Sequence, residues 1–104
     1  MALFNTDSTD RLYRAILTLR TPEECKCFFE DLCTIRELLD MAQRFEAASL
    51  LDQKQSYQNI AHSVKISTAT IGRVSKCINY GAGGYLLALD RLQEEDKKNE
   101  SDQS

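Results

Sequence analysis

Apolar residues recur along this chain at intervals of three and four, and no stretch alternates apolar with polar residues at the period of a strand. Leu12, Ala15, Ile16 and Leu19 define a first helical face, with Ser8 or Thr9 placed to cap it. Thr21-Pro22-Glu23-Glu24 combines an N-cap residue, proline at the first helical position and glutamate at the third. It starts a second helix whose buried stripe is Cys25, Phe28, Phe29 and Leu32. Thr34 with Glu37 repeats the capping pattern ahead of a longer third helix carrying Ile35, Leu38, Ala42, Phe45, Ala48 and Leu51. Ser56 caps a short helix with Tyr57, Ile60, Ala61 and Val64, and Ser67 caps another with Ile71, Val74 and Ile78. The run Asn79-Tyr80-Gly81-Ala82-Gly83-Gly84 breaks the chain, and a last helix carries Tyr85, Leu86, Leu89 and Leu92. From Glu94 to Ser104 no residue is apolar, so a disordered polar tail is expected over 94–104. The expected fold is all-α, six short helices in one domain over residues 1–93.

Six short helices offer few layers for mutual burial, while Phe28, Phe29, Leu38, Leu39, Phe45, Leu86 and Leu87 present apolar surface on several sides. A homodimer would supply the missing burial; a monomeric six-helix bundle is the alternative. No apolar run reaches the ~18 residues that a membrane crossing needs, and the first seven residues lack the basic flank and apolar stretch of a signal peptide. A cytoplasmic protein without membrane contact is expected.

The formal charge of -3 argues at first against a polyanionic partner. Its distribution argues the other way. All 16 acidic residues fall in 1–52 and 90–104, whereas 53–89 holds no acid and four bases, Lys54, Lys65, Arg73 and Lys76. That segment carries +4 and leaves -7 on the rest. The asymmetry fits a polyanion-binding face on an acidic body, or else a plain acid-free surface.

Within that segment, Tyr57 to Ile78 has the spacing of a helix-turn-helix, set here over 56–79. Ile60, Val64, Ile66, Ile71 and Val74 fill the inward positions, Ala61 the small one, and Val64-Lys65-Ile66-Ser67 the turn. Lys65 stands where many such motifs place glycine in a left-handed conformation, a tolerable cost of about 1 kcal/mol. In this geometry the second helix enters the major groove of double-stranded DNA with its N-terminal residues forward. Ser67, Thr68, Ala69 and Thr70 bring short donors, acceptors and methyl groups to base edges, and Gly72 removes bulk on the same side. Lys65, Arg73 and Lys76 reach phosphate or guanine. Ser, Thr and Gly covering a solvent face is the plainer reading.

Other chemistries find little support. Cys25 and Cys27 lie two apart on a helix, hence on different faces, and one histidine and no paired C-x-x-C leave no zinc site. Cys25 and Cys33 read as packing residues. Gly81-Ala82-Gly83-Gly84 lacks the preceding strand and spacing of a phosphate loop, and no catalytic triad is apparent, so an enzyme is not expected. Two alternatives to a DNA-binding regulator stay open: a helical module that binds an acidic protein partner, and a thiol-based sensor using Cys25, Cys27 or Cys77.

The sequence also resembles a known family. Glu24-Cys25, Phe28-Phe29-Glu30-Asp31-Leu32-Cys33-Thr34, Ala42-Gln43-Arg44-Phe45, Ser67-Thr68-Ala69-Thr70-Ile71-Gly72-Arg73-Val74 and Asn79-Tyr80-Gly81 are similar to the Trp repressor superfamily, in its YerC/YecD branch, over roughly residues 8–92. The resemblance implies an intertwined, two-fold symmetric all-helical homodimer and a repressor that binds a two-fold symmetric operator through paired helix-turn-helix heads. It also implies an effector pocket, which by position would involve Thr34, Arg44, Thr70, Arg73, Val74 and Cys77. Arginines suit a carboxylate and a planar group. Val74 replaces the family's glycine and Cys77 its serine, which crowds an indole and weakens a hydrogen bond. Tryptophan is therefore disfavoured, leaving another amino acid or metabolite as co-repressor, or a closed pocket in which Arg44 is a brace and Arg73 a phosphate contact.

Overall fold

A computed structural model describes residues 6–103; residues 1–5, at the start of the expected domain, and Ser104, at the end of the expected tail, lie outside them. The described residues form six helices and no strand: α1 (Thr6–Ile16), α2 (Pro22–Leu32), α3 (Ile35–Asp52), α4 (Tyr57–Val64), α5 (Thr68–Tyr80) and α6 (Gly84–Gln103). Where the sequence reading takes residues 1–93 as one domain, the contacts group the chain into two compact units, Met1–Leu38 and Leu39–Ser104, with the boundary inside α3.

The first unit holds α1, α2 and the first turn of α3. The described part of α1 is already helical at Thr6, so Ser8 and Thr9 lie inside it rather than capping it. It unwinds after Ile16 through tight backbone bonds from Thr18 to Ala15 and from Leu19 to Ile16, which leaves Leu19 beyond its end. Thr21 caps α2 as expected, its hydroxyl accepting from the Glu24 amide at 3.1 Å. The Glu24 carboxylate reaches back to the Arg20 amide at 2.8 Å. Thr34 and Glu37 close a reciprocal box at the start of α3, amide to carboxylate at 2.8 Å and amide to hydroxyl at 3.1 Å. Phe28 and Phe29 meet edge to face, with centroids 5.5 Å apart. The expected buried stripe of α2 is only partly covered: Cys25, Phe28 and Phe29 are half-buried, Leu32 is 50% exposed, and none is fully buried. Ile35 at 80% and Leu17 at 82% exposure leave more apolar surface open in the same unit.

The second unit holds the core. The C-terminal half of α3 contributes Ala47 and Ala48, both fully buried, whose short side chains let other helices approach closely. Ala47 packs with Ile60 of α4 and Ile71 of α5, flanked by Leu50, Leu51, Ala61, Val64 and Ile66. Ala48 packs with Val74 of α5 and Leu89 of α6, flanked by Phe45, Leu51, Ile78 and Tyr85. The two clusters share α3 and α5, so α5 is held on two sides by apolar burial.

Two helices are not short. α3 has 18 residues and α6 has 20. α6 runs through Gln103, so the stretch expected to be disordered is helical as far as it is described. Its residues explain this without any core: Glu94 and Glu95 precede Lys97 and Lys98 at spacings that favour an exposed helix, and Gln, Glu and Lys are good helix formers.

Candidate nucleic-acid interface

α4 and α5 are joined by three non-helical residues, Lys65, Ile66 and Ser67. Each helix begins with a serine cap, the Asn59 amide donating to Ser56 Oγ and the Thr70 amide to Ser67 Oγ, both at 3.1 Å. Lys65 ends α4 in the left-handed conformation (φ 64°, ψ 48°), its amide donating to the Ala61 carbonyl, as the helix-turn-helix template expects. Ile66 then turns back into the core, half-buried beside Ala47, Ile60 and Ile71. The turn is thus fixed by one strained backbone angle and one apolar anchor.

α5 presents two faces. Ile71 is fully buried and Val74 is 2% exposed. Ser67, Thr68, Ala69, Arg73 and Lys76 are exposed, as is Lys65 before them. Thr70 is half-buried, with its hydroxyl 3.0 Å from Ser67 Oγ. Gly72 is half-buried, and a Cβ added there would meet nothing within 4 Å, so the open space beside it is genuine. All eight residues expected at a DNA interface therefore cluster in the turn and along α5. Because positions 53–89 hold no acid, no carboxylate of this segment opposes their charge.

α5 ends at Gly81, whose amide donates to the Cys77 carbonyl at 2.8 Å; a Cβ at this position would run into that same carbonyl. Glycine is required here by close approach rather than by a left-handed angle.

The six residues expected around an effector are differently placed. Thr34 lies in the first unit, where its hydroxyl caps α3. The other five lie in the second. Arg44 and Arg73 are exposed, Thr70 is half-buried, and Val74 is packed into the core with Ala48 and Leu89. Cys77 lines a largely apolar cleft of about 360 Å³ together with Phe45, Gly81, Tyr85 and Ala88. The four cysteines are free thiols, Cys27 and Cys77 exposed and Cys25 and Cys33 half-buried.

Sequence reasoning counted Lys54 only as a charge. The structure gives it a second left-handed turn (φ 67°) at the end of α3, where the Gln55 amide reaches the Leu50 carbonyl and the Lys54 amide the Leu51 carbonyl. Two lysines in glycine-like conformations thus bracket α4, one on each side.

The described residues form a six-helix, all-α protein fold built around a helix-turn-helix. The protein belongs to the Trp repressor family: the family model described as Trp repressor protein matches residues 7–93. The chain is 46% identical over 92 residues to the protein YerC of Bacillus subtilis, covering 88% of each. Among solved structures, it resembles a TrpR-like protein from Eubacterium eligens with a TM-score of 0.82 and 44% identity, over 86% of this chain and 92% of that one. It also resembles a Trp repressor candidate from Staphylococcus aureus with a TM-score of 0.81 and 40% identity, over 84% and 87% of the two chains. No helix among the described residues is long and apolar enough to cross a membrane.

Proposed function

We propose that this chain is a homodimeric transcription repressor that recognises a two-fold symmetric DNA operator through α5. The observation that carries the reading is the division of α5 into a face closed by Ile71 and Val74 and an exposed face with Thr68, Ala69 and Arg73, set in an acid-free segment of charge +4. Lys65, Arg73 and Lys76 contact phosphate, helped by the N-terminus of α5. Ser67, Thr68, Ala69 and Thr70 meet base edges, and Gly72 lets the backbone approach. Dimerisation is supported by the first unit, whose described residues bury no side chain fully, and by Leu86 and Leu87 on α6, 41% and 51% exposed. A second copy covering these surfaces spaces the two reading heads about 34–36 Å apart, one turn of DNA.

Modulation by a small metabolite belongs to the same reading, through the cleft beside Cys77. Its apolar lining suits a small apolar or planar group.

The test is salt-titrated binding to the protein's own promoter DNA in the presence of competitor, repeated with each amino acid. Binding that keeps its sequence preference and falls steeply with salt supports the proposal. Indifference to sequence overturns it and favours the acidic-partner reading. Arg73→Ala weakens binding to all sequences, whereas Thr68→Ala relaxes the choice of base by about 1–3 kcal/mol at one position.

A further inference from the structure

Among the described residues, two non-glycine positions take up a positive φ, and both are lysines: Lys54 at 67° and Lys65 at 64°. Glycine occupies this left-handed region freely, and asparagine and aspartate are its usual substitutes. Lysine is neither, and strain retained at an exposed lysine points to a use for the ammonium. For Lys65 that use is the phosphate contact proposed above. Lys54 has none so far.

The backbone at Lys54 is held firmly. Its amide donates to the Leu51 carbonyl at 2.9 Å, and the Gln55 amide donates to the Leu50 carbonyl at 3.1 Å, the paired bonds that close a helix through a left-handed residue. Leu50 and Leu51 pack against the cluster of Ala47, Ile60 and Ile71, so the Lys54 side chain springs from the same core that holds α5. The side chain itself is exposed and makes no hydrogen bond or ion pair among the described residues. Asp52, the nearest acid in sequence, lines a hollow with Leu86, Leu87 and Asp90 of α6, and Lys54 has no part in it. Were the charge kept for the dipole of α3, Asp52 in the last turn of that helix would work against it.

α4 is about 12 Å long, with Lys54 three residues before its start and Lys65 directly after its end. In a helix-turn-helix the first helix crosses the DNA backbone while the second enters the groove. A lysine at each end of the crossing helix addresses separate phosphates.

We propose that Lys54 is a phosphate anchor, paired with Lys65 across α4, and that the two contacts together fix the angle at which α5 meets the groove. The inference rests on the DNA reading above and adds a residue to it. Phosphate contacts carry no sequence information, but they set register and orientation, so this pair acts on every duplex alike.

Salt-titrated binding of the full-length protein to its own promoter DNA and to an unrelated duplex tests the pair. Lys54→Gly removes the ammonium while easing the turn, so chemical denaturation is expected to show a protein at least as stable as wild type. Its affinity for both duplexes is expected to fall about eightfold per reading head at ~0.1 M salt, with the salt slope lowered by about 0.9 per head. Lys54→Arg keeps the charge and is expected to keep the slope. Lys26→Gln removes an equal charge from α2, outside the acid-free segment, and is expected to leave the slope unchanged. A Lys54→Gly protein with the wild-type slope, an equal fall with Lys26→Gln, or a loss confined to promoter DNA overturns the anchor. In each of these cases the wild-type protein still binds its promoter, and the DNA reading stands. Wild-type protein that ignores DNA at every salt concentration overturns the anchor and the DNA reading together.

Discussion

The Ser67 hydroxyl accepts a hydrogen bond from the Thr70 amide at 3.1 Å and lies 3.0 Å from the Thr70 hydroxyl. A residue just outside α5 therefore ties down both its first turn and a side chain near its outward face. Ser67→Ala is expected to cost about 1 kcal/mol of stability, read by chemical denaturation, and to weaken operator binding. Ser67→Asp restores the cap and the stability, but its charge repels phosphate, so affinity stays low. Equal recovery of stability and affinity with aspartate would remove Ser67 from the DNA surface.

Lys65 occupies a conformation that glycine adopts at less cost. Lys65→Gly is expected to raise stability by about 1 kcal/mol. If the ammonium contacts phosphate, the same change reduces the salt dependence of DNA binding by about one charge. A more stable protein with an unchanged salt slope would show that the lysine is not at the backbone.

Gly72 sits inside α5 with open space where a side chain would be. Gly72→Ala therefore favours the helix by about 0.8–1 kcal/mol. Operator affinity is expected to fall because the added methyl enters the gap between helix and groove. Affinity that rises or holds steady in a binding titration would place the groove elsewhere.

The Glu37 carboxyl is held below its ordinary value by the Thr34 amide that donates to it, and further by the Thr34 hydroxyl. A lowered folded-state value means that the carboxylate stabilises the fold fully above the unfolded value, and that this contribution is lost as pH falls through the folded one. Glu37→Gln is expected to be less stable than wild type near neutrality, with the difference closing in acid. Denaturation at pH 7 and pH 3 checks this; a gap of constant size would assign the effect to something other than charge.

Features set by neighbours in sequence were legible from the sequence. Thr21, Thr34, Ser56 and Ser67 all cap the helices that follow them, because a cap needs only a hydroxyl and an amide three residues on. Lys65 was legible because the turn template constrains its backbone. The stripe of Cys25, Phe28, Phe29 and Leu32 was legible as a face but not as a buried one, since spacing identifies an apolar side without identifying what covers it. Ala47 escaped notice because a methyl group adds little to an apolar pattern, yet its smallness sets how closely α4 and α5 approach α3. The last helix was legible from Tyr85 to Leu92, but its continuation over 94–103 was missed because a polar run reads alike as coil or as solvated helix, and only charge spacing separates them. The eight DNA-facing candidates followed from the template; the effector candidates rested on positions in another protein, and their surroundings here, Val74 above all, depend on packing.

The two faces of α5 also bear on how such a protein can change. Ile71 and Val74 are committed to the core, whereas Thr68, Ala69 and Arg73 contribute nothing to it. Substitutions at the outward positions can accumulate at little cost to folding, so a duplicated copy of this chain could drift toward a new target while remaining a stable protein throughout. The frame that holds α5 is what such drift must leave alone, and its centre, Ala47, Ala48, Ile60 and Leu89, is made of residues that DNA never needs to touch.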